Sequence, residues 1–346
     1  MLKNKMTSKR RMTIGVALFI ILAMASFCMT GCSGSESSDS SEPTKVTFVL
    51  DWTPNTNHTG VYVAQELGYF DEAGLDVEIV QPPDDGAEAM VGSGQAQFGV
   101  SFQDYLPPAL MGDSKAIPVT AVAAVIQHNT SGIMSAKGNG ITSPAGMEGK
   151  KYATWELPIE QATIRQCMEN EGADFDKVKL IPEYVDDEVA ALKTGRIDCV
   201  WVYYAWAAIN AQVKNFDFDY FAFRDIDEVF DYYSPVIIAN DEFLEQDPDT
   251  ARAFLEAVSR GYEYAIENPD EAADLLLQAN PELDEELVKA SQAYLADQYQ
   301  AEASQWGVID ADRWNRFFNW LNDNKLVEEP LAENFGFTND YLPQAK

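Results

Sequence analysis

The chain has 346 residues, with 56 Asp and Glu against 24 Lys and Arg, a formal net charge of −32 and only two histidines. Such an acid excess excludes nucleic acid as a partner, because phosphate binding needs basic patches, and it disfavours an anionic ligand outside a shielded site. His58 and His128 give no metal-ligand spacing, and four cysteines give no disulfide framework.

Lys3, Lys5, Lys9, Arg10 and Arg11 precede an apolar run over residues 12–29, the pattern of a secretory signal occupying residues 1–31. The run ends in Met29-Thr30-Gly31-Cys32-Ser33, which resembles the bacterial lipobox with Met29 in place of the usual leucine. Cys32 is then the lipidated first residue of the mature chain; an uncleaved membrane anchor is the other reading. Residues 32–44 are too polar and Ser-rich to bury anything and read as a flexible tether. The expected location is the cell membrane, lipid-anchored on the extracytoplasmic face. Cleavage removes five bases and no acid, taking the charge from −32 to −37. Beyond Cys28 and Cys32 only Cys167 and Cys199 remain, and the sequence leaves them bridged or free.

About 300 residues follow the tether, enough for two lobes of ordinary domain size. Residues 46–50 form a β-rich run, residues 51–58 a loop crowded with hydrogen-bonding side chains, and residues 60–67 a helix that Gly68 ends in a left-handed cap before a second strand over 75–80. Such a βαβ unit is right-handed and opens its first loop at the carboxyl edge of the sheet, where ligands of open α/β sheets collect. A helix over 86–91, a strand over 96–100, a helix over 104–111 and a β-rich run over 118–126 come next. Then follow a strand at 132–134, a turn at 143–149, a strand at 151–154 and a helix at 158–170. Residues 178–181, 187–193, 199–203 and 205–213 continue as strand, helix, strand, helix, and the last strands are 220–223 and 236–239. Residues 241–322 read as helical, with Asp247-Pro248 and Asn268-Pro269 as boundaries. The C-terminus reads as a polar extension.

The run VGSGQAQFGVS from Val91 resembles LKTGRIDCVWV from Leu192: helix end, glycine, strand, at an offset of 101 residues. The expectation is two βα lobes around a ligand cleft, joined by two crossings and able to close by hinge motion. Residues 45–130 plus 235–346 form lobe 1, and residues 131–234 form lobe 2.

Five loops should face the cleft: 51–58, 101–105, 155–160, 184–187 and 203–206. Trp201 and Tyr203 share one face of a strand. With Tyr204, Trp52, Phe102 and Trp155 they offer walls for a flat ring; core packing is the competing reading of each. Asp51 and Glu156 are placed to accept N–H donors of an amino-heterocycle from opposite lobes. Gln103, Asn55 and Asp187 complete the set of hydrogen-bonding candidates. Glu160, in a helix that opens on Pro158, is either a ligand group or a helix-terminus charge. His58 reads as a cap or loop hydrogen bond. The chain has no Gly-x-Ser-x-Gly, P-loop or dinucleotide fingerprint, so no catalytic residue, cofactor or metal is expected. It reads as a binder.

The segments LDWTPNTNHTGVYVAQELGYFDEAGLDVEIV, VGSGQAQFGVSFQ, WELPIEQATI and YYSPVIIANDEFL resemble the family shared by thiamine-pyrimidine synthases and bacterial substrate-binding proteins for pyrimidine precursors of thiamine. The resemblance spans residues 46–322. It implies an α/β, type II periplasmic-binding-protein fold, monomeric, handing an aminopyrimidine of the hydroxymethyl or formylaminomethyl type to an ABC permease. The synthase branch of that family carries a cofactor-binding lysine where this chain has Ser101, a consumed histidine where it has Tyr105, and a cysteine cluster where it has Asp231-Tyr232-Tyr233-Ser234-Pro235. A Schiff base cannot form without an amine, which points to a binder rather than an enzyme. A binder of a riboflavin precursor or a sulfonate, and a ligand-sensing lipoprotein, are the alternatives. A sulfonate would want an arginine, and Arg165, Arg196 and Arg224 stand off the expected loops.

Overall fold

In the computed structural model, which describes residues 42–110 and 117–344, the chain enters through β1 (Thr44–Val49). It continues through α1 (Thr59–Glu66), α2 (Tyr69–Glu72), β2 (Leu75–Val80), α3 (Ala87–Gly92), β3 (Phe98–Ser101), α4 (Leu106–Leu110) and β4 (Val119–Ala124). A second series follows: β5 (Ser131–Ala136), β6 (Lys151–Thr154), α5 (Pro158–Asn170), β7 (Lys179–Pro182), α6 (Glu188–Lys193), β8 (Cys199–Tyr203), α7 (Ile209–Val213), β9 (Phe218–Ala222) and α8 (Phe223–Ile226). The return is β10 (Val236–Asn240), α9 (Asp241–Gln246), α10 (Pro248–Glu267), α11 (Pro269–Ala279), α12 (Glu285–Ala296) and α13 (Ala311–Asp323). The signal over residues 1–31, Cys32 and the tether up to residue 41 lie outside the described residues. Thr44, assigned above to the tether, opens β1 instead, its N–H bonded to the Gly74 carbonyl at 2.9 Å.

The strands form two five-stranded mixed sheets, ordered β2-β1-β3-β10-β4 and β7-β6-β8-β5-β9. In each, the three strands at one side run parallel and the fourth is antiparallel to its neighbours. The sheets correspond strand for strand in order and direction, and the internal sequence match falls on equivalent corners: α3 into β3 and α6 into β8. Both corners turn on a glycine in the left-handed region, Gly94 at φ 75° and Gly195 at φ 66°, where a Cβ would be strained.

The inner parallel strands β3 and β8 are apolar because both faces are covered, whereas the edge strands β2 and β7 keep exposed positions. Val46, Phe48 and Leu50 of the first strand and its loop pack with Phe254, Val258 and Tyr262 of α10, while Val49 points to the other side with Val91 and Ala121. Phe98 stacks on Phe254 at 4.1 Å. Helices α1 and α10 cross so closely that a Cβ on Gly261 would lie 1.9 Å from the Gly60 carbonyl oxygen.

The chain crosses between the sheets at residues 125–130 and 223–235, and side chains tie the two crossings together. His128 Nδ1 meets Asp231 Oδ2 at 2.6 Å and its Nε2 meets Glu302 Oε2 at 2.8 Å. Arg313 donates to Glu302 at 3.1 Å and to the Gln127 carbonyl, and the Asn129 N–H donates to Asp231 Oδ1 at 3.0 Å.

Two stretches differ from the sequence expectation. Residues 297–310 are not helical: Trp306 is buried there, stacked on Tyr262 at 4.2 Å, and Gly307 bridges to Ala124. The C-terminal residues are not a free extension either. Phe337 bridges to Ala121, and Leu331 and Leu342 are buried. Both are held by isolated apolar side chains with no periodicity to read. Cys167 and Cys199 are free thiols in one core cluster, and burial raises the pKa of both. Among the described residues no helix is long and apolar enough to cross a membrane.

Candidate functional site

Strand β1 delivers Asp51 to the carboxyl edge of the first sheet, and the loop behind it is self-supporting. His58 Nδ1 accepts the Asn55 N–H at 3.2 Å, which leaves the ring proton on Nε2, donated to Asp51 Oδ1 at 2.7 Å. The Tyr299 and Tyr262 hydroxyls donate to the Thr56 and Asn57 carbonyls, each at 2.6 Å. His58 is thus the capping and loop residue expected. Asn55, expected at the ligand, is a cap as well: its Oδ1 accepts the Asn57 N–H at 2.9 Å and its Nδ2 donates to the Thr53 carbonyl at 3.0 Å. This buried side chain is engaged at both ends inside its own loop, which gives it a capping role. Trp52 is 46 % exposed at the loop tip.

At the end of β3 the Ser101 hydroxyl donates to Glu88, on α3. Gln103, expected to meet the ligand, is fully buried. Its Oε1 accepts the Tyr233 N–H at 3.0 Å and its Nε2 donates to the Trp314 carbonyl at 2.9 Å. It fastens the approach to β10 and helix α13 to β3, which corrects its assignment. The next residue, Asp104, is the one left with free capacity. Its Oδ2 accepts the Tyr232 hydroxyl at 3.3 Å, and its Oδ1 is enclosed without a partner. Burial, reinforced by the charge of Glu88 and only partly offset by hydrogen bonds from its own backbone and Tyr232, raises this carboxyl to about 7.

On the second sheet, β6 runs into α5 through a tight turn organised by Glu160. That carboxylate accepts the Tyr152 hydroxyl at 2.5 Å, the Trp155 and Leu157 N–H groups at 3.1 Å and the Thr154 hydroxyl at 3.2 Å. Of the two readings offered above for Glu160, the helix-start role holds, and its acceptor sites are used up. Glu156 is exposed, with φ at 62°, a left-handed conformation unusual for a residue with a side chain. The rings of Trp155 and Trp201 lie 5.8 Å apart, and Trp201 packs on Phe223 at 4.2 Å with its Nε1 buried and unpartnered.

Alternation along β8 places Trp201 in one cluster and Val200 and Val202 in another. Tyr203 follows Trp201. Tyr204 follows the valines and leaves the expected ligand wall: it packs on Tyr220 and Tyr294, each at 5.1 Å, and its hydroxyl accepts Gln212 Nε2 at 2.9 Å. Asp187 is the N-cap of α6, accepting the Ala190 N–H at 3.0 Å, and faces Lys214 at 3.7 Å. Its sequence position before the helix satisfies capping alone.

The two lobes meet through aromatic rings. Phe102 stacks on Tyr203 at 5.9 Å and 24°, and meets Tyr105 edge-on at 5.2 Å. Burial raises the Tyr203 phenol, with Asp104, Tyr105 and Asp51 adding to the effect. Burial raises Tyr105 too, with Asp104, Tyr184, Glu88 and Glu160 around it. Phe102 and Tyr105 from the first lobe thus meet Tyr203 from the second, with the charges of Asp51, Glu88 and Asp104 and the Tyr184 phenol within electrostatic reach of Tyr105 or Tyr203.

A family model described as NMT1/THI5 like matches residues 55–272, well over half of the sequence. The chain belongs to the NMT1/THI5-like family. Among its relatives is a formylaminopyrimidine-binding protein of Halalkalibacterium halodurans, 31 % identical over 92 % of this chain and 97 % of the relative. Another is the 4-amino-5-hydroxymethyl-2-methylpyrimidine phosphate synthase THI11 of Saccharomyces cerevisiae, 28 % identical over 86 % of this chain and 88 % of the relative. The alkanesulfonate-binding protein SsuA of Xanthomonas axonopodis pv. citri, solved with MOPS, superposes with a TM-score of 0.65 over 86 % of this chain and 99 % of that one, at 10 % identity. The fold of this NMT1/THI5-like chain is that of the type II periplasmic binding proteins, two βα lobes around a cleft.

Sequence reading of this NMT1/THI5-like chain missed Asp104, Glu88 and Tyr232. Asp104 lies inside an expected loop, one residue from Gln103, and Tyr232 lies in the family-like segment YYSPVIIANDEFL. No pattern in the sequence distinguishes the residue that pairs with a neighbouring strand from the one that stays free.

Proposed function

We propose that the chain is an extracytoplasmic solute-binding lipoprotein, anchored through Cys32, that captures a thiamine-related aminopyrimidine as a monomer and delivers it to an ABC permease. The observation that carries this reading is the make-up of the cleft: carboxylates and phenols set among aromatic rings, with no lysine or arginine in the group named above. Such a lining suits a flat, neutral or weakly basic heterocycle bearing N–H donors. A sulfonate would bring its negative charge beside Asp51, Glu88 and Asp104, which disfavours it. The bacterial relative named for formylaminopyrimidine supports the ligand class.

Ser101 supports binding without chemistry. Its hydroxyl is engaged with Glu88, and a hydroxyl cannot form the Schiff base that an amine forms. In this reading Asp51, Trp52, Phe102, Trp155, Glu156, Trp201 and Tyr203 contact the ligand, and closure of the lobes couples binding to recognition by the permease.

Calorimetry of the full-length chain against formylaminopyrimidine, 4-amino-5-hydroxymethyl-2-methylpyrimidine, thiamine, riboflavin and taurine tests the reading. Saturable heat with an aminopyrimidine is expected. A folded chain that gives none with either pyrimidine rules it out.

A further inference from the structure

We infer that Asp104 determines the ligand chosen by this cleft, accepting an exocyclic N–H of an aminopyrimidine on Oδ1 and losing a proton as the ligand enters. The inference rests on the aminopyrimidine reading of the cleft. Its starting point is the set of buried polar atoms without a partner among the described residues. Asp104 Oδ1 is one, Ser234 Oγ and Trp201 Nε1 are others, and both Ser234 and Trp201 are more than nine-tenths buried. Ser234 lies beside the Tyr203 phenol, which faces Asp104. An enclosed acceptor with no internal donor is rare in a folded chain and needs a donor from outside it.

The surroundings decide what that donor is. Glu88 from α3, Tyr105 from the same loop, Tyr203 from β8 and Tyr232 from the approach to β10 are the titratable groups around Asp104. None is a cation. Without a counter-charge the empty carboxyl titrates near 7, so a large fraction holds a proton at neutral pH. A ligand N–H on Oδ1, added to the Tyr232 hydroxyl on Oδ2, stabilises the ionised form and displaces that proton. A ring with an oxo group at the same place would set oxygen against oxygen on the ionised carboxylate and could accept only from its protonated form, so its binding would strengthen toward low pH, opposite to that of an aminopyrimidine.

Binding of formylaminopyrimidine to the full-length chain and to Asp104→Asn, by calorimetry from pH 6 to pH 8, tests the inference. The affinity ratio of wild type to variant removes any titration of the ligand itself. For a group titrating near 7 the ionised fraction grows from about one-tenth to about nine-tenths, so this ratio rises roughly tenfold across the range. Comparison of buffers with different ionisation heats should give about half a proton released per ligand at pH 7 for wild type, and none attributable to this group in the variant. Tyr232→Phe removes a donor that lowers the carboxyl, and should move the midpoint of the wild-type profile to higher pH; this measurement and the wild-type proton count decide the matter if Asp104→Asn does not fold. Pyrimidine binding with a flat ratio and no proton release overturns the role of Asp104 and leaves the proposed function standing. A wild-type chain that binds no pyrimidine overturns both.

Discussion

His58 donates its Nε2 proton to Asp51 at 2.7 Å while its Nδ1 holds the Asn55 N–H at 3.2 Å. One buried ring therefore orients the cleft carboxylate and closes the loop that carries it. His58→Ala removes both contacts and leaves the Asn55 N–H unpaired. The expected cost is about 2 kcal/mol in urea denaturation, together with weaker ligand binding by calorimetry. Unchanged affinity in the variant would separate Asp51 from the ligand.

Glu160 receives N–H and O–H donors from four residues, two in β6 and two in the turn that follows. An amide cannot accept from all of them. Glu160→Gln is expected to lower stability by about 2 kcal/mol, and Tyr152→Phe by about 1 kcal/mol. The double variant should lose less than the sum, because the two changes break one shared contact; additive losses in denaturation would contradict that coupling.

Glu156 holds a left-handed backbone conformation at φ 62°. Such strain persists where the surrounding structure enforces it, and on a loop beside the cleft it supports the proposed role of Glu156 as a ligand contact. Glu156→Gly should raise stability by about 1 kcal/mol while lowering ligand affinity, whereas Glu156→Gln should lower affinity alone. Thermal melts and calorimetry on the two variants read both quantities, and a Gly variant that binds as well as wild type would remove Glu156 from the site.

The ties between the crossings carry a pH dependence with a definite sign. Hydrogen bonding to Asp231, against a smaller burial effect, raises the His128 pKa above its ordinary value. A raised pKa contributes stability that is full below the unfolded value, near 6.5, and is lost as pH rises through the folded one. Glu302 is lowered to about 2, chiefly by its bond with His128. Its contribution is full above the unfolded carboxylate value and fades as pH falls toward 2. The stability difference between wild type and His128→Gln should therefore be largest between about pH 5 and pH 6.5. It should decline on both sides; a difference in denaturation midpoints that stays flat across pH 3 to 9 would show that the ties contribute nothing.

Gly261→Ala sets a Cβ against the Gly60 carbonyl oxygen, an approach of 1.9 Å in the present geometry. Helices α1 and α10 must separate, and the expected loss is about 3 kcal/mol. A melt within a degree or two of wild type would mean that the crossing is looser than the structure has it.

Periodicity and punctuation made many elements legible. The strands at 75–80, 151–154 and 199–203 and the helix at 158–170 coincide with the sequence reading residue for residue. Their apolar runs are short and bounded, and Pro158 marks the helix start. Pro248 and Pro269 likewise open α10 and α11. Residues 297–310 and the C-terminus misled because Trp306, Leu331 and Leu342 are single anchors without a repeat.

Local chemistry thus determined the elements and, through the paired corners at Gly94 and Gly195, the doubled plan of the two sheets. Those signals lie within a few residues of the conformation they impose. The fate of each polar loop side chain was decided only in three dimensions. Gln103 is claimed by Trp314, 211 residues away, and Asn55, Glu160 and Asp187 by their own turns. Asp104 is left with an unclaimed oxygen because no donor among the described residues bonds to it. A side chain is free for a ligand only when its neighbours leave it so, and neighbours are a property of the folded chain.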